Sequence, residues 1–301
     1  MQETPRERED TYIFDPESAT EMARLMMQGQ LVTQGMGGIL SGDERAYLAA
    51  LCETADVAEA PRILDIGSGP GGWVLDTAFE YPSVEVTGID ISKTMIGYAR
   101  AQAWSRGLKN AHFQGMNVLK PLEFPDNYFD FVNARFMVGF VLRDAWPALI
   151  QEFFRVTRPG GRVCLTEFER FGMSNSAAYE QIMAWAGQAS TRLGYGFSPD
   201  EGKDSHITLQ LSRFLRAAGY QQIQLQPYVL DFSSGAELHT LQYQNFMVIA
   251  RMGAPLIPRL GLITVEEFDK AYNLALADML SDDFLGLWYL LSARGKKPSL
   301  T

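Results

Sequence analysis

From Pro61 onward, short apolar runs and amphipathic stretches take turns along the chain. Ile63, Leu64 and Ile66 are branched and apolar and turn residues follow them at once, which predicts a buried strand over 62–66. Further strands are predicted over 84–89, 111–114, 129–133 and 162–166, with helices over 73–79, 94–106 and 144–156 and a turn at the RPGG before the fifth strand. Strands that alternate with helices in this way predict a parallel sheet covered on both faces. Ahead of this region, a helical pattern starts near Pro16 and runs through Met22, Leu25 and Met26, with Asp15 or Ser18 as cap. A second helix is expected over 43–55, with Tyr47, Leu48 and Leu51 on one face, while residues 1–10 read as a frayed lead-in. After Glu169 a helix over 174–193 carries Tyr179, Ile182, Met183 and Trp185. A polar loop follows, then a helix over 207–218 stopped by Gly219, a sixth strand over 223–232, helices over 237–251 and 265–280, and a last strand over 284–292.

The alternation is punctuated most sharply at 61–72, PRILDIGSGPGG, where a strand breaks into glycines. Glycine reaches strained dihedrals at little steric cost and carries no β-carbon, so the backbone here can approach a ligand closely, and the helix that follows presents free N–H groups to the same space. Two templates fit. Gly67, Gly69 and Gly72 satisfy the dinucleotide pattern G-x-G-x-x-G, and Asp65, Gly67, Gly69 and Gly71 satisfy D-x-G-x-G-x-G. The Asp65 carboxylate discriminates between them. A pyrophosphate gains nothing from an anion at that point, whereas a ligand with a sulfonium and an ammonium does. Asp90 ends the next apolar run, where a carboxylate can take both ribose hydroxyls of either cofactor.

Composition narrows the partners. With 301 residues, 47% of them hydrophobic, the chain can bury a sizeable core. Its net charge of -10 argues against a general binder of nucleic-acid backbones. Cys52 and Cys164 are too few for a disulfide framework and fit a reducing compartment; the charged start MQETPRERED is unlike a secretory signal, and no apolar run reaches membrane-spanning length. The expectation is a cytoplasmic protein with no nucleic-acid or membrane partner. Three scattered histidines and two cysteines lack ligand spacing, so no metal is expected.

Four motifs in order, LDIGSGPGG, GIDIS followed by Met95, NVLKPLEFPDNYFDFV and FRVTRPGGRV, span 61–167, about a third of the chain. In these the chain resembles the class I S-adenosylmethionine-dependent methyltransferases, and is most similar to the small-molecule group that includes the quinone-biosynthesis enzymes. The resemblance implies an α/β fold: a three-layer Rossmann-like arrangement with a mostly parallel seven-stranded sheet and an antiparallel last strand. Around it the chain divides into a helical cap (1–58), the S-adenosylmethionine-binding core (59–170), a lid insertion (171–205) and the remainder of the core (206–301) with a second helical insertion at about 236–282. The resemblance further implies that Asp65 and the backbone of Gly67, Ser68 and Gly69 hold the amino-acid end of S-adenosylmethionine. Asp90 then takes the ribose, Ile91 and Met95 flank the adenine, and the Val118 backbone meets its edge. Asn117 stands where the family usually has Asp, and an amide oxygen can accept the same bond from the adenine amine.

Strand ends sharing one sheet edge bring further residues to the ligand. Asn133 and Arg135 follow the fourth strand beneath the methyl group, with Phe136 next to them, and Glu167 and Glu169 follow the fifth. His112 opens the third strand at the opposite edge and is read as structural. Tyr12, Gln28 and Gln34 are the polar residues of the cap, and Tyr179, Trp185 and Tyr195 are aromatic residues of a lid suited to an apolar or aromatic acceptor. His206 and His239 are the candidate bases, since an imidazole titrates near neutrality. The expected activity is transfer of a methyl group from S-adenosylmethionine to a small, apolar or aromatic metabolite by in-line displacement. A protein acceptor or a nicotinamide-dependent oxidoreductase are the alternatives, and the sequence leaves a homo-oligomer open.

Overall fold

The computed structural model describes residues 12–54, 60–199 and 204–299. The expected lead-in at 1–10, the end of the helix at 43–55 and part of the polar loop after Phe197 lie outside them. The apolar run Arg62–Ile66 is β1, and burial of Ile63, Leu64 and Ile66 on both faces explains its place inside the sheet. It pairs in parallel with β2 (Glu85–Asp90) and, on its other side, with β4 (Phe129–Arg135). β3 (Ala111–Gly115) lies outside β2, and β5 (Thr157–Phe168) outside β4, both parallel. β8 (Gly286–Lys296) is antiparallel and lies between β5 and β7 (Gln221–Asp231). The order of strands reverses at β1 and β4, so the carboxyl ends of β1, β2 and β4 open onto a crevice.

The seven expected strands are present, mostly parallel with an antiparallel last strand, and the structure adds an eighth. β6 (Met173–Ser174) is two residues long and pairs with the start of β8, too short to leave a pattern in the sequence. The expected turn at RPGG lies inside β5 as a bulge: Phe129 pairs with Thr157 and Phe131 with Arg162, and the residues between bow out with Gly160 at φ 81.

Alternate residues of β1 serve opposite faces. Ile63 packs with Trp73, Val74 and Phe131 beneath α3 (Gly72–Glu80), α4 (Lys93–Ser105) and α2 (Gly42–Thr54). Leu64 and Ile66 join Val132, Leu165, Trp146 and Leu211 beneath α5 (Trp146–Val156) and α7 (Thr208–Ala218). Burying a side chain such as Leu211 or Ile63 contributes about 1.5–3 kcal/mol, which fixes the sheet and hence the crevice.

Above the crevice lies a roof of helices. α1 (Ala19–Gly35) starts at Ser18, whose hydroxyl accepts the Glu21 amide, and packs on α8 (His239–Gly253). α6 (Ala177–Arg192) begins at Ser176, which accepts the Tyr179 amide at 3.1 Å, and packs on α10 (Val265–Met279). α10 has a capping box in which Thr264 and Glu267 bond each other's amides. α9 (Leu256–Arg259) joins α8 to α10 beside α6.

Candidate active site

Asp65 is 4% exposed, and its carboxylate accepts a 2.7 Å hydrogen bond from the side-chain amide of Asn133, its direct neighbour in β4. Burial pushes the Asp65 pKa up to about 6, opposed by the Arg135 guanidinium and by the Asn133 bond. Arg135 ends β4 on the wall of the same cavity, and burial pulls its own pKa down against the attraction of Asp65. At the end of β2, Asp90 accepts the Gly69 amide at 2.8 Å and the Ser92 amide at 2.9 Å. One carboxylate thereby ties the glycine loop to the start of α4. Burial raises the Asp90 pKa, and these amide bonds oppose the rise.

Gly67, Gly69 and Gly71 have φ of 66°, 53° and 84°, in the left-handed region that glycine adopts at little cost. Their surroundings give them different tasks. A β-carbon on Gly71 would lie 2.7 Å from Phe113 and 2.8 Å from Ala99, so this glycine serves the packing of the loop onto β3 and α4. On Gly67 and Gly69 it would meet only Phe140 at 3.1 Å and Leu25 at 3.6 Å, both residues of the cavity wall. The Ser68 hydroxyl is sealed against β2, where a β-carbon on Gly88 would lie 2.8 Å from it, so Ser68 presents backbone to the cavity.

These residues form one end of a cavity of about 320 Å³. Ile91, Met95, Met116, Asn117 and Val118 line it beyond Asp90. Asn117 Oδ1 already accepts the Leu119 amide at 2.9 Å, so a ligand amine would use its second lone pair. Tyr12, Ile13, Phe14 and Pro16 lie across this end as a strap. Glu17 pins it, because its carboxylate accepts the Lys93 and Thr94 amides, each at 3.0 Å, at the start of α4. The Tyr12 hydroxyl donates to Glu21, and burial drives its pKa far above the usual phenol range.

The cavity continues past Phe136 into an apolar chamber. Phe136 takes φ 59° at the end of β4 and packs against Phe168 and Trp288. The 3-10 turn that follows, Met137–Gly139, turns Phe140 back toward the glycine loop. Ile182, Met183 and Ala186 of α6, Ile249 and Ala250 of α8, Ile257 of α9 and Phe268 of α10 complete the chamber.

Several expected acceptor residues stand elsewhere. Glu167 is 1% exposed and off the cavity wall; its carboxylate accepts the Met137 amide at 2.7 Å and the Val138 amide at 3.3 Å, which secures the turn below Phe136. Tyr179 and Tyr195 are fully buried off the wall, and the Tyr179 hydroxyl donates to the Phe171 carbonyl. Trp185 packs on Phe268 behind the chamber rather than within it. Neither candidate base reaches the wall: His239 Nε2 bonds the Met279 carbonyl at 2.7 Å, and His206, at φ 55°, donates its amide to Glu169 at the start of α7. Glu169 does line the cavity, yet it is engaged by the Thr208 amide at 3.0 Å. His112 pairs with Glu85 at 2.5 Å away from the cavity, as its place at the start of β3 implied. Gln34 turns to Glu237, while Tyr12, Gln28 and Phe136 line the cavity.

The loop chemistry decides between the two cofactor templates. The Ser68 amide donates to Ile89, the Gly69 amide to Asp90 and the Gly71 amide to Ser68, so these three loop amides are engaged within the protein. The carboxylates of Asp65 and Asp90 instead line a cavity suited to an ammonium, a sulfonium and ribose hydroxyls.

Comparisons with known proteins agree. A family profile described as "Methyltransferase domain" matches residues 63–161. The demethylmenaquinone methyltransferase of Geobacillus kaustophilus is 30% identical over 189 residues, covering 60% of this chain and 79% of that protein. The ubiquinone/menaquinone biosynthesis C-methyltransferase UbiE of Burkholderia cenocepacia is 31% identical over 154 residues, or 49% of this chain and 61% of that one. Among solved structures, the YcgJ protein of Bacillus subtilis shares the fold with a TM-score of 0.51 at 20% identity, over 85% of this chain and 100% of that chain. With its glycine loop, paired carboxylates and sheet order, the chain belongs to the class I methyltransferases that use S-adenosylmethionine as cofactor.

Proposed function

We propose that the enzyme methylates a small, apolar, oxygen-bearing ring compound of the quinone type. The observation that carries this reading is the continuity of the cavity, which runs from the Asp65 and Asp90 carboxylates to the chamber between α6, α8, α9 and α10. The names of the relatives, which act on demethylmenaquinone and in ubiquinone and menaquinone biosynthesis, support the same class. A chamber lined by residues of four helices favours a small molecule over a protein side chain.

S-adenosylmethionine supplies a methyl group made electrophilic by its sulfonium, and transfer is an in-line displacement. Asp65, oriented by Asn133, holds the ammonium, and Arg135 balances the carboxylate beside it. Asp90 takes the ribose hydroxyls, and Ile91, Met95, Asn117 and Val118 hold the adenine. Phe136 and Phe140, both on the wall, would present apolar surface beside the bound cofactor. Such positioning can contribute about 7 to 11 kcal/mol to lowering the barrier. Arg24 and Arg135 stand on the wall, each beside a carboxylate, Glu21 and Asp65 respectively. We place the enzyme in the cytoplasm: Cys52 and Cys164 are free thiols, and no helix among the described residues is long and apolar enough to cross a membrane.

Two measurements test the reading. Calorimetry should give binding of S-adenosylhomocysteine and none of NAD. Incubation with methyl-labelled S-adenosylmethionine and a reduced, short-tailed demethylmenaquinone should move label into the organic extract. Label recovered only in the protein fraction of a cell lysate would point to a protein acceptor instead.

A further inference from the structure

Gln28 lies on α1 one turn beyond Leu25, the residue that faces Gly69, and it lines the cavity although it is only 6% exposed. The protein satisfies one end of its amide. The oxygen accepts from Arg24 Nη1, and because a guanidinium can only donate, the amide cannot stand the other way round. Arg24 is itself fixed: Nε and Nη2 donate to Glu21 at 2.7 and 2.6 Å, and Nη1 also reaches Asn245 Oδ1 at 3.4 Å. Asn245 then donates to Gln242 at 3.2 Å, and Gln242 to the Phe171 carbonyl at 3.3 Å. Each donor in this buried series has its acceptor. Among the described residues nothing accepts from Gln28 Nε2, and that nitrogen is not sealed from the cavity.

We propose that Gln28 Nε2 is the hydrogen-bond donor that recognises an oxygen of the methyl acceptor, a ring carbonyl or the oxyanion derived from it. The inference rests on the reading of the acceptor as an oxygen-bearing ring. Location assigns the donor to the acceptor. Through Leu25, α1 abuts the glycine loop, and through Asn245 it meets α8, which supplies Ile249 and Ala250 to the chamber, so Gln28 stands where the two ends of the cavity join. A buried donor that only a ligand oxygen satisfies also rejects rings lacking that oxygen, because binding them would leave the N–H without a partner.

The test compares two rings of similar outline on the complex with S-adenosylhomocysteine: 2,3-dimethyl-1,4-naphthoquinone, whose oxygens only accept, and 2,3-dimethylnaphthalene. Calorimetry gives the ratio of their affinities in the wild type, in Gln28→Leu and in Gln28→Glu, which keeps the bond to Arg24 but offers only acceptors. The ratio should fall about tenfold in both variants, with affinity for S-adenosylhomocysteine within about twofold of wild type. An unchanged ratio would overturn the inference while leaving the ring-acceptor reading intact. Equal loss of S-adenosylhomocysteine affinity would assign the donor to the cofactor and overturn it as well. If the wild type binds S-adenosylhomocysteine but neither ring, the ring-acceptor reading fails and takes the inference with it. Should Gln28→Leu not fold, Gln28→Glu decides.

Discussion

Asn133 donates its side-chain amide to the Asp65 carboxylate across 2.7 Å, side by side in neighbouring parallel strands. This bond aims a buried anion at the cavity and holds down a pKa that burial lifts to about 6. An aspartate in the unfolded chain ionises near about 4, so the folded protein binds the proton more tightly. The contribution of Asp65 to the stability of the empty protein is therefore present below about pH 4 and lost as pH rises through about 6. Binding of an ammonium runs the other way, since it needs the ionised form. Affinity for S-adenosylhomocysteine should rise between about pH 5 and 7, and Asn133→Ala should move that rise to higher pH. Calorimetric titration over this range checks both; a flat wild-type profile would remove Asp65 from the ammonium site.

Asp90→Ala removes the partner of the ribose and also releases the Gly69 and Ser92 amides. Affinity for S-adenosylhomocysteine should fall by on the order of 1.5–3 kcal/mol in a protein that still folds. Asp90→Asn should lose less, because one amide oxygen can keep the Gly69 bond. Titration of each folded variant tests the order, and wild-type affinity in Asp90→Ala would refute the assignment.

The glycines should separate fold from function. At Gly71 an alanine meets Phe113 and Ala99 at 2.7–2.8 Å in a left-handed conformation, so Gly71→Ala should lower the melting temperature markedly. At Gly69 the same substitution meets nothing nearer than Leu25 at 3.6 Å, and its cost in strain is about 1–2 kcal/mol. Gly69→Ala should chiefly weaken cofactor binding. Melts run beside titrations would expose a reversed pattern.

Lid residues divide in the same way. Tyr195 is fully buried off the cavity, so Tyr195→Ala should destabilise the fold by about 3–5 kcal/mol while the folded fraction keeps its specific activity. Ala186 lines the chamber, and Ala186→Phe should block the acceptor while leaving S-adenosylhomocysteine affinity nearly unchanged. Loss of cofactor binding in Ala186→Phe would argue that the chamber belongs to the cofactor.

What the sequence disclosed was local chemistry. The strand before the glycine loop, the carboxylates at the ends of β1 and β2 and the cap Ser18, offered beside Asp15, are each settled by a few adjacent residues. The acceptor chamber was not legible, because Ile182, Ile249, Ile257 and Phe268 come together from separate helices and are of the same type as core residues. Tyr179 and Tyr195 show the converse, since an aromatic side chain in a lid looks alike whether it faces a ligand or the core. Glu167 was expected at the ligand edge for its place in β5, and what claimed it instead was a 3-10 turn with no periodicity to betray it. His206 and His239 were credited with chemistry for imidazole titration and for their expected place near the ligand edge; the structure sets His239 Nε2 on the Met279 carbonyl and His206 off the cavity wall.

β8 lies inside the sheet, hydrogen-bonded to β5 on one side and to β7 on the other. During synthesis, β1 to β5 can pair as they emerge, but β7 has no neighbour to pair with until residues 286–296 have cleared the ribosome. Among the described strands the last in sequence therefore closes the sheet, and until it pairs the β5 edge is open to pairing with another chain.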